Sequence, residues 1–259
     1  METLNKDVLE RLREVIYELT GNYYPEERLM LLTKKLNMTN INIQSLLKDK
    51  NLTKEMLDII TVPETRFFRE KIQLETFLKQ CVDKLPWQKK GPVMIASYAC
   101  ATGEEVYTLA MMFEYAAIPY KIYGFDINET YLQKAREGVY PKRHLMEIPQ
   151  EYQRFLKITD DSIIIKDELK SKVQFKQLNL IKKEDFLPYK EIFDAAFCRN
   201  ALIYFNDESK LKAIKNIAYT LKVGGCFVVS MTEVLNRIHT ANFDNEKING
   251  IFFYKKAKD

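Results

Sequence analysis

A run of small residues followed by two glutamates forms the most informative turn in this 259-residue sequence. It reads ACATGEE, from Ala99 to Glu105, and lies between two runs typical of strands, VMIASYA and KIYGFDI. The second of these runs ends near Asp126. In open α/β sheets, ligands bind beyond the carboxyl ends of the strands, where small residues allow close approach and an acid accepts ribose hydroxyl protons. The pattern therefore predicts a ribose site at Asp126.

The charges in this turn indicate which kind of nucleoside would bind. The turn lacks the G-x-G-x-x-G spacing that holds a pyrophosphate at a helix N-terminus, and Glu104 and Glu105 would repel one. S-adenosylmethionine has no phosphate, and its sulfonium and amino group suit an acidic site. Alternatively, both glutamates merely stabilise the positive end of a helix, and Asp126 belongs to the N-cap region of the next helix. These residues alone leave both interpretations open.

The other reactive residues offer little material for chemistry by side chains alone. The two histidines, His144 and His239, lie near no nucleophile motif and no second obvious metal ligand. The four cysteines are widely separated: Cys81, Cys100, Cys198 and Cys226. Because they form no C-x-x-C pair, we expect buried, reduced thiols and no metal site. An enzyme with this sequence is therefore expected to take its reagent from a cofactor.

The composition is that of an ordinary globular protein, with 46% hydrophobic residues and a net charge of +4. The charges are spread along the chain without a long basic tract, so nothing in the sequence indicates a nucleic-acid partner. No apolar run approaches the ~18 residues that span a bilayer, and the start METLNKDVLERLRE is too charged for a signal peptide. We therefore expect a cytoplasmic protein without membrane insertion.

Two regions with different periodicity must position the candidate residues. Apolar residues at helical spacing predict helices at about 6–19, 25–36, 43–50, 53–60 and 68–85. The run LPWQKKGP then interrupts the pattern, and its prolines and glycine are typical of a junction between domains. We therefore predict an all-helical N-terminal domain at residues 1–85 and a linker at 86–92.

From residue 93 onwards, short β-rich runs alternate with helical patterns. This alternation predicts βαβ units and a parallel sheet, and therefore an α/β domain at residues 93–259. The tail INGIFFYKKA is predicted to be a last strand. At about 140–171 the alternation is interrupted, because Phe155 to Ile158 and Ile163 to Ile165 flank TDDS as in a hairpin. We predict a β-hairpin insertion there.

Several segments, in order, resemble the CheR-type chemoreceptor glutamate methyltransferases. They are ETRFFRE (64–70), CATGEEVYTLA (100–110), GFDIN (124–128), AREGVY (135–140), NL (179–180) and FDAAFCRNALIYF (193–205). The resemblance covers about Pro63 to the C-terminus. It implies a class I (Rossmann-like) S-adenosylmethionine-dependent methyltransferase domain with a small inserted β-subdomain, preceded by an all-helical domain. It also implies methyl transfer to receptor glutamates in chemotaxis-type signalling, with S-adenosylhomocysteine as the second product.

The resemblance further implies roles for individual residues. Arg69 and Tyr204 are expected nearest the transferred methyl group, as the catalytic residues. The implied cofactor-binding residues are Thr65, Arg69, Glu105, Asp126, Asn179, Leu180, Asn200 and Ala201. Structural alternatives exist, since Arg69 could belong to a surface ion pair, Asn200 could form a turn and Tyr204 could pack in the core.

Three positions depart from the family pattern. Pro63 stands where the family often has asparagine, so one cofactor contact could be missing or made by the backbone. Val106 replaces a proline, and SMTE (230–233) replaces the more usual GHSE of the late strand. None of these departures removes a charge that the implied chemistry needs.

The acceptor is less well defined than the cofactor. The resemblance implies the cytoplasmic helical region of a chemoreceptor-like protein, bound by a monomer, but residues 1–60 hold nearly equal numbers of basic and acidic residues. A local patch of Arg28, Lys34 and Lys35 could bind an acidic helix, or it could be a solvated face. The predicted hairpin could bind a receptor tail or act as a lid. A small carboxylate acceptor and a catalytically silent cofactor-binding module are the alternative functions.

Overall fold

A helical region forms the first part of the chain. The computed structural model describes residues 6–39, 43–50, 53–61, 63–86, 91–233, 235–236, 239–240 and 242–257. The first helices are α1 (Lys6–Thr20), α2 (Glu26–Asn37), α3 (Ile43–Asp49) and α4 (Lys54–Ile60). Their apolar faces form a separate cluster that includes Leu12, Ile16 and Leu29. The four helices therefore bury their amphipathic stripes mainly against one another.

The helix predicted at 68–85 begins three residues later than expected. Phe68 and Glu70 both have φ of 53°, a left-handed conformation that cannot continue a helix. The Phe68 ring instead packs against Tyr152, with ring centroids 4.8 Å apart. The helical residues are α5 (Lys71–Thr76), a π-helical turn (Phe77–Cys81) and a 3₁₀ turn (Val82–Lys84). The left-handed backbone at Phe68 and Glu70 and the packing of the Phe68 ring therefore prevent a helix at 68–70, although the apolar spacing predicted one there.

Within the described residues there are ten strands, and seven of them form one large sheet. The strands are β1 (Val93–Tyr98), β2 (Tyr120–Asp126), β3 (Val139–Pro141), β4 (Leu156–Ile158), β5 (Ser162–Ile165), β6 (Val173–Gln177), β7 (Phe193–Phe197), β8 (Leu221–Val228), β9 (Phe243–Ile248) and β10 (Ile251–Lys256). The order in the sheet is β6-β2-β1-β7-β8-β10-β9, and the first five of these strands are parallel. The connecting helices are α6 (Glu104–Tyr115), α7 (Glu129–Glu137), α8 (Asp167–Lys170), α9 (Lys183–Phe186) and α10 (Asp207–Thr220). The predicted α/β fold with a helical N-terminal region is confirmed.

The last strand has an antiparallel partner that the sequence analysis did not predict. β9 pairs with β10 along its whole length, from Phe243 opposite Lys256 to Ile248 opposite Ile251. Its sequence, FDNEKI, is mostly polar because β9 is the edge of the sheet and most of its residues are exposed or half-buried. An edge strand with so few buried positions lacks the apolar alternation that identifies strands.

The remaining three strands form a small antiparallel sheet in the order β3-β5-β4. β4 and β5 make the hairpin predicted around TDDS, and Val139 to Pro141 add a third strand. This insertion contacts the TRFFRE motif. Phe67 packs edge-on against Tyr140 at 5.0 Å between centroids, and its backbone N–H donates to Glu147 Oε2 at 2.9 Å.

The TRFFRE motif and α5 pack with the large sheet, whereas the first four helices form an apolar cluster of their own. Phe67, Leu74 and Phe77 share a buried apolar cluster with residues of β1 and α6. We therefore propose that the boundary between the two structural units lies before this motif, closer to residue 63 than to the predicted residue 85. Residues 87–90 of the predicted linker lie outside the described residues.

Candidate active site

A large cavity opens at the carboxyl ends of the parallel strands. The space between its walls is about 1010 Å³, part of it open to solvent, and segments that follow β1, β2, β6 and β7 line it. It lies where the strand order reverses, because β1 has β2 on one side and β7 on the other. Open α/β sheets bind their ligands at such a switch point.

All of the site residues predicted from the sequence line this one cavity. They come from the TRFFRE motif, from α6, from the ends of β2, β6 and β7, and from the 3₁₀ turn at 202–204: Thr65, Arg69, Glu105, Asp126, Asn179, Leu180, Asn200, Ala201 and Tyr204. The turn at Thr20 and Asn22, which follows α1, lines the cavity as well. The fold therefore brings together residues that are distant in sequence.

The turn of small residues after β1 keeps the backbone close to the cavity. Ala99 and Ala101 have φ of 54° and 47°, and Gly103 has φ of 92°. A Cβ atom on Gly103 would lie 2.9 Å from the Cβ of Ala135, so a larger residue does not fit. Left-handed alanines are uncommon and are concentrated at functional sites. This geometry explains why the run ACATG contains only small side chains.

Asp126 is buried at the end of β2, and both of its carboxylate oxygens point to backbone donors. Oδ2 accepts from the N–H of Ala101 at 2.8 Å, and Oδ1 accepts from the N–H of Asn128 at 2.9 Å. Burial raises the pKa of Asp126 to about 6, although these hydrogen bonds oppose the shift. The N-cap of α7 is Asn128, whose side chain accepts from the N–H of Thr130. Each Asp126 oxygen retains a second lone pair for a ligand hydroxyl.

Arg199 is the centre of a charge network that the sequence analysis missed. Its guanidinium donates to Glu105 Oε2 at 2.8 Å, to Gln73 Oε1 at 2.8 Å, to the Arg69 carbonyl at 2.7 Å and to Glu70 Oε2 at 3.0 Å. The Arg199 side chain is only 2% exposed. Arg199 lies in the CRN segment and Glu70 lies in the FFRE segment. The family resemblance of these two segments was the only signal in the sequence for either residue.

Glu70 connects the TRFFRE motif to the segment after β8. Its carboxylate accepts from Ser230 Oγ at 2.7 Å and from the N–H of Met231 at 3.0 Å. Burial alone would raise the pKa of Glu70, but these hydrogen bonds and the Arg199 charge outweigh it and lower the pKa below its usual value. The SMTE segment therefore fixes the orientation of the FFRE segment.

Asn179 and Asn200 line the cavity, and each also donates a hydrogen bond to another part of the protein. Asn179 Nδ2 donates to the Leu19 carbonyl at 2.7 Å, so it ties the segment after β6 to α1. Asn200 has φ of 60°, and its Nδ2 donates to Ser230 Oγ at 2.9 Å. The turn-forming alternative for Asn200 is therefore correct as far as its conformation is concerned, and it is compatible with a second role in binding.

Arg69 takes part in an ion pair and also faces the cavity. One guanidinium nitrogen donates to the Glu64 carbonyl at 2.9 Å, and another lies 3.6 Å from Glu64 Oε1. The Pro63 carbonyl accepts from the N–H of Thr65 at 3.1 Å. The turn at Pro63 thus presents Thr65, and the Glu64 contacts hold Arg69 at the edge of the cavity.

Tyr204 separates the large cavity from a second one. The second cavity has about 800 Å³ of empty space and is lined mainly by α2, by its preceding loop and by the end of α4. Tyr204 lines both cavities, and the Arg28 guanidinium lies over its ring at 5.4 Å from the centroid. The N–H of Tyr23 donates to the Tyr204 carbonyl at 2.8 Å. Tyr204 and Asn22, which both line the two cavities, therefore belong to the wall that the cavities share.

The described residues contain neither a candidate metal cluster nor a candidate membrane-spanning helix. Among them, no three His, Cys, Asp or Glu side chains are grouped so that they could hold a metal ion. In that same part of the chain, no helix combines the length and the apolar character needed to cross a bilayer. Neither His144 nor His239 lines the large cavity.

Residues 63–251 match the sequence model of a family described as CheR methyltransferase, SAM binding domain. A chemotaxis protein methyltransferase of Borreliella burgdorferi is 29% identical over 90% of this chain and 89% of its own length. A protein of the same name from Listeria innocua is 30% identical over 80% and 78%, respectively. One from Escherichia coli is 28% identical over 86% and 82%.

A solved structure resembles the fold without close sequence similarity. The rRNA methyltransferase AviRa from Streptomyces viridochromogenes superposes with a TM-score of 0.50 at 11% identity, over 76% of this chain and 87% of that one. At this identity the likeness bears on the fold alone. It agrees with the parallel sheet and its switch point described above.

Proposed function

This chain belongs to the CheR methyltransferase family, and from that premise we propose that it transfers a methyl group from S-adenosylmethionine to glutamate side chains of a chemoreceptor-like protein. The family membership establishes S-adenosylmethionine as the cofactor and methyl transfer in chemotaxis as the activity. The glutamate acceptor and the role of each residue are our proposal. The observation that supports this proposal best is that one cavity is lined by the acidic side chains, by the amide side chains, and by Arg69 and Tyr204.

The donor set of the cavity suits this cofactor. Glu105 and Asp126 offer carboxylates to an amino group and to ribose hydroxyls, while Leu178, Leu180 and Ala201 offer an apolar wall for an adenine ring. When bound, S-adenosylmethionine supplies an electrophilic methyl group on a cationic sulfur. Thr65 and Arg69 lie on the same wall and are our candidates for its carboxylate end. Arg199 holds Glu105 in place through the 2.8 Å hydrogen bond.

The proposed acceptor explains why the cavity contains no histidine. A glutamate carboxylate has a reference pKa of about 4.3, so it is already ionised at neutral pH and needs no general base. The protein has only to bring the carboxylate into line with the methyl group, and positioning can supply much of the rate. We assign this orientation to Arg69 and to the Tyr204 hydroxyl, since both are hydrogen-bond donors at the cavity edge.

The second cavity is our candidate for the path of the acceptor. Arg28 and Lys35 line it together with Leu31 and Leu32, so it combines positive charge with apolar surface. An acidic amphipathic helix would match that combination, with its glutamate directed towards Tyr204. Lys34 is not part of the lining. The predicted patch of Arg28, Lys34 and Lys35 is therefore only partly directed at this cavity.

Asp126→Ala is expected to weaken S-adenosylmethionine binding by about 1.5–3 kcal/mol, the contribution of hydrogen bonds to a charged group. The wild-type affinity is expected to depend on pH as well. Because the pKa of Asp126 in the free protein is about 6, the carboxylate that accepts ribose protons is lost as the pH falls through 6. Affinity should therefore rise from pH 5 to pH 7 and then level off.

Isothermal titration calorimetry at several pH values measures both effects. Asp126→Asn is the matched variant, because it keeps the shape of the side chain but has no carboxylate to titrate. It should remove the change in affinity centred near pH 6. A folded Asp126→Ala protein with wild-type affinity would show that Asp126 does not bind the ribose.

Reversing Lys34 and Lys35 to glutamate is expected to slow methylation of receptor fragments without changing cofactor affinity. Exposed lysines attract an acidic helix over a long distance. Salt weakens this attraction, because charges farther apart than the Debye length of about 8–10 Å are largely screened at moderate ionic strength. The wild-type rate should accordingly fall as salt is added. The measurement is the initial methylation rate at subsaturating fragment over a series of salt concentrations.

The matched control reverses Lys79 and Lys190, two exposed lysines outside the second cavity. It introduces the same change in net charge and should leave the rate close to that of the wild type. Equal rates for all three proteins, with no response to salt, would exclude docking at α2 and favour the inserted hairpin.

The choice of acceptor is tested by competition between acceptor classes. Labelled S-adenosylmethionine is offered with helical receptor fragments, with the same fragments carrying Glu→Gln changes, and with small carboxylic acids. We expect label in the unmodified fragments only. Label in the small acids alone would favour a small-molecule methyltransferase. Tight cofactor binding without any label transfer would favour a silent binding module.

A further inference from the structure

Folding brings together two cysteines that lie far apart in the sequence. Cys81 ends the π-helical turn after α5, and Cys226 lies in β8. Both line a small cavity of about 290 Å³ that shares no lining residue with the two cavities described above. Both thiols are free and buried, and they lie close enough for each to shift the pKa of the other. All four cysteines are buried and free, as expected from the sequence, but their spacing gave no sign that these two would line one cavity.

The surroundings of the pair favour a reactive thiol at Cys81. Hydrogen bonding to the Cys226 thiol lowers the pKa of Cys81, and the charge of Lys84 acts in the same direction, against burial and Glu246. The same interaction, together with burial, raises the pKa of Cys226. Lys84, Lys255 and Glu246 complete the rim of the cavity, and Lys84 Nζ lies 2.6 Å from Glu246 Oε1. Thiolates react with peroxides far more readily than thiols do.

Cys100 and Cys198 differ from Cys81 in the direction of the pKa shift. Burial raises the pKa of Cys100 and of Cys198 well above the usual value for a thiol. Nearby carboxylates, including that of Glu105, add to both shifts. These two cysteines are therefore expected to remain protonated and unreactive.

We propose that Cys81 and Cys226 form a redox-active dithiol that a hydroperoxide converts into a disulfide. The Cys81 thiolate attacks the nearer peroxide oxygen, the O–O bond breaks, and the distal oxygen leaves as hydroxide or alkoxide. The Cys226 thiol then attacks the resulting sulfenic sulfur, and the sulfenic oxygen leaves as water. The two sulfurs lose two electrons in total, and the peroxide takes them up.

The disulfide would join two elements that build the acidic side of the candidate active site. Near the start of α5, Gln73 Nε2 donates to the Val229 carbonyl at 2.8 Å, and Glu70 accepts from Ser230 Oγ. Val229 and Ser230 directly follow β8, the strand that contains Cys226. Oxidation would therefore link the end of the α5 segment, at Cys81, to β8 at Cys226. Both positions lie away from the contacts that Glu70 makes with Ser230 and Met231. Because the crosslink closes a long loop, the oxidised chain should unfold at a higher temperature.

The test treats the reduced full-length protein with hydrogen peroxide and measures its intact mass. We expect the loss of two hydrogen atoms, a peptide containing linked Cys81 and Cys226 in a non-reducing digest, and reversal by dithiothreitol. The addition of oxygen atoms without hydrogen loss, or a linked peptide from another cysteine pair, would overturn the proposal. So would a lower unfolding temperature of the oxidised protein, since it would mean that the native backbone must distort.

Two serine variants and one control make the assignment specific. Cys81→Ser and Cys226→Ser should each abolish the hydrogen loss, whereas Cys198→Ser should retain it. Hydrogen loss that persists in Cys81→Ser would refute the assignment. The digest of the wild-type protein decides the question even if a variant does not fold.

Discussion

Arg199→Met is expected to destabilise the folded chain by about 3–5 kcal/mol, the usual cost of removing one partner from a buried ion pair. The wild-type guanidinium is almost fully buried and donates to four acceptors. Without it, the partly buried carboxylates of Glu70 and Glu105 lose the cation that contacts both of them. S-adenosylmethionine affinity should fall as well, because Glu105 loses the contact that holds it in position. Urea unfolding and calorimetry measure the two effects.

Two further variants separate charge from geometry. Arg199→Lys keeps the positive charge, but a single ammonium group cannot reach all four acceptors, so an intermediate loss is expected. In the double variant Arg199→Met, Glu105→Gln, part of the lost stability should return because one of the uncompensated charges is gone. An Arg199→Met protein that unfolds at the wild-type urea concentration would show that the network contributes little.

Tyr204→Phe is expected to lower methyl transfer at saturating acceptor by about 10- to 150-fold, equivalent to about 1.5–3 kcal/mol for one hydrogen bond to a carboxylate. Tyr204 lies between the cofactor cavity and the second cavity, so its hydroxyl is in a position to orient the incoming carboxylate. Cofactor affinity should change little, because the ring and its packing remain. Single-turnover rates with preloaded cofactor measure the effect on transfer.

Tyr23→Phe is the matched control for this prediction. Tyr23 also lines the second cavity, but it does not line the cofactor cavity. Removing its hydroxyl should leave the rate of transfer near that of the wild type. If Tyr204→Phe also turned over at the wild-type rate, Tyr204 would have only a packing role.

The ligand-binding end of the sheet was predictable from the sequence because it depends on local patterns. The strand before Ala99, the small residues up to Gly103 and the acid at Asp126 are contiguous or nearly so, and each has a direct physical reason. Helix ends at Gly21 and Thr53 also follow from local rules, since Gly21 adopts a φ of 78° and Thr53 caps α4. These features need no knowledge of distant contacts.

Features that depend on distant contacts could not be predicted in the same way. A lone arginine after a strand gives no sign that Glu70 and Glu105 will approach it, because only the packing of α5 and α6 against the sheet brings them together. The left-handed Phe68 likewise reflects a partner, Tyr152, in the inserted segment. Cys81 and Cys226 meet for the same reason, since the turn after α5 lies next to β8.

The most direct test of the proposed function is to identify the bond that the methyl group forms. The protein is incubated with S-adenosylmethionine labelled in the methyl group and with cytoplasmic receptor fragments, and the labelled fragments are then treated with base. A glutamate methyl ester hydrolyses to volatile, labelled methanol, and peptide mapping locates the label on glutamate. We expect this result. Label that remains on the fragments after base treatment, or active protein that leaves every fragment unlabelled, would contradict it.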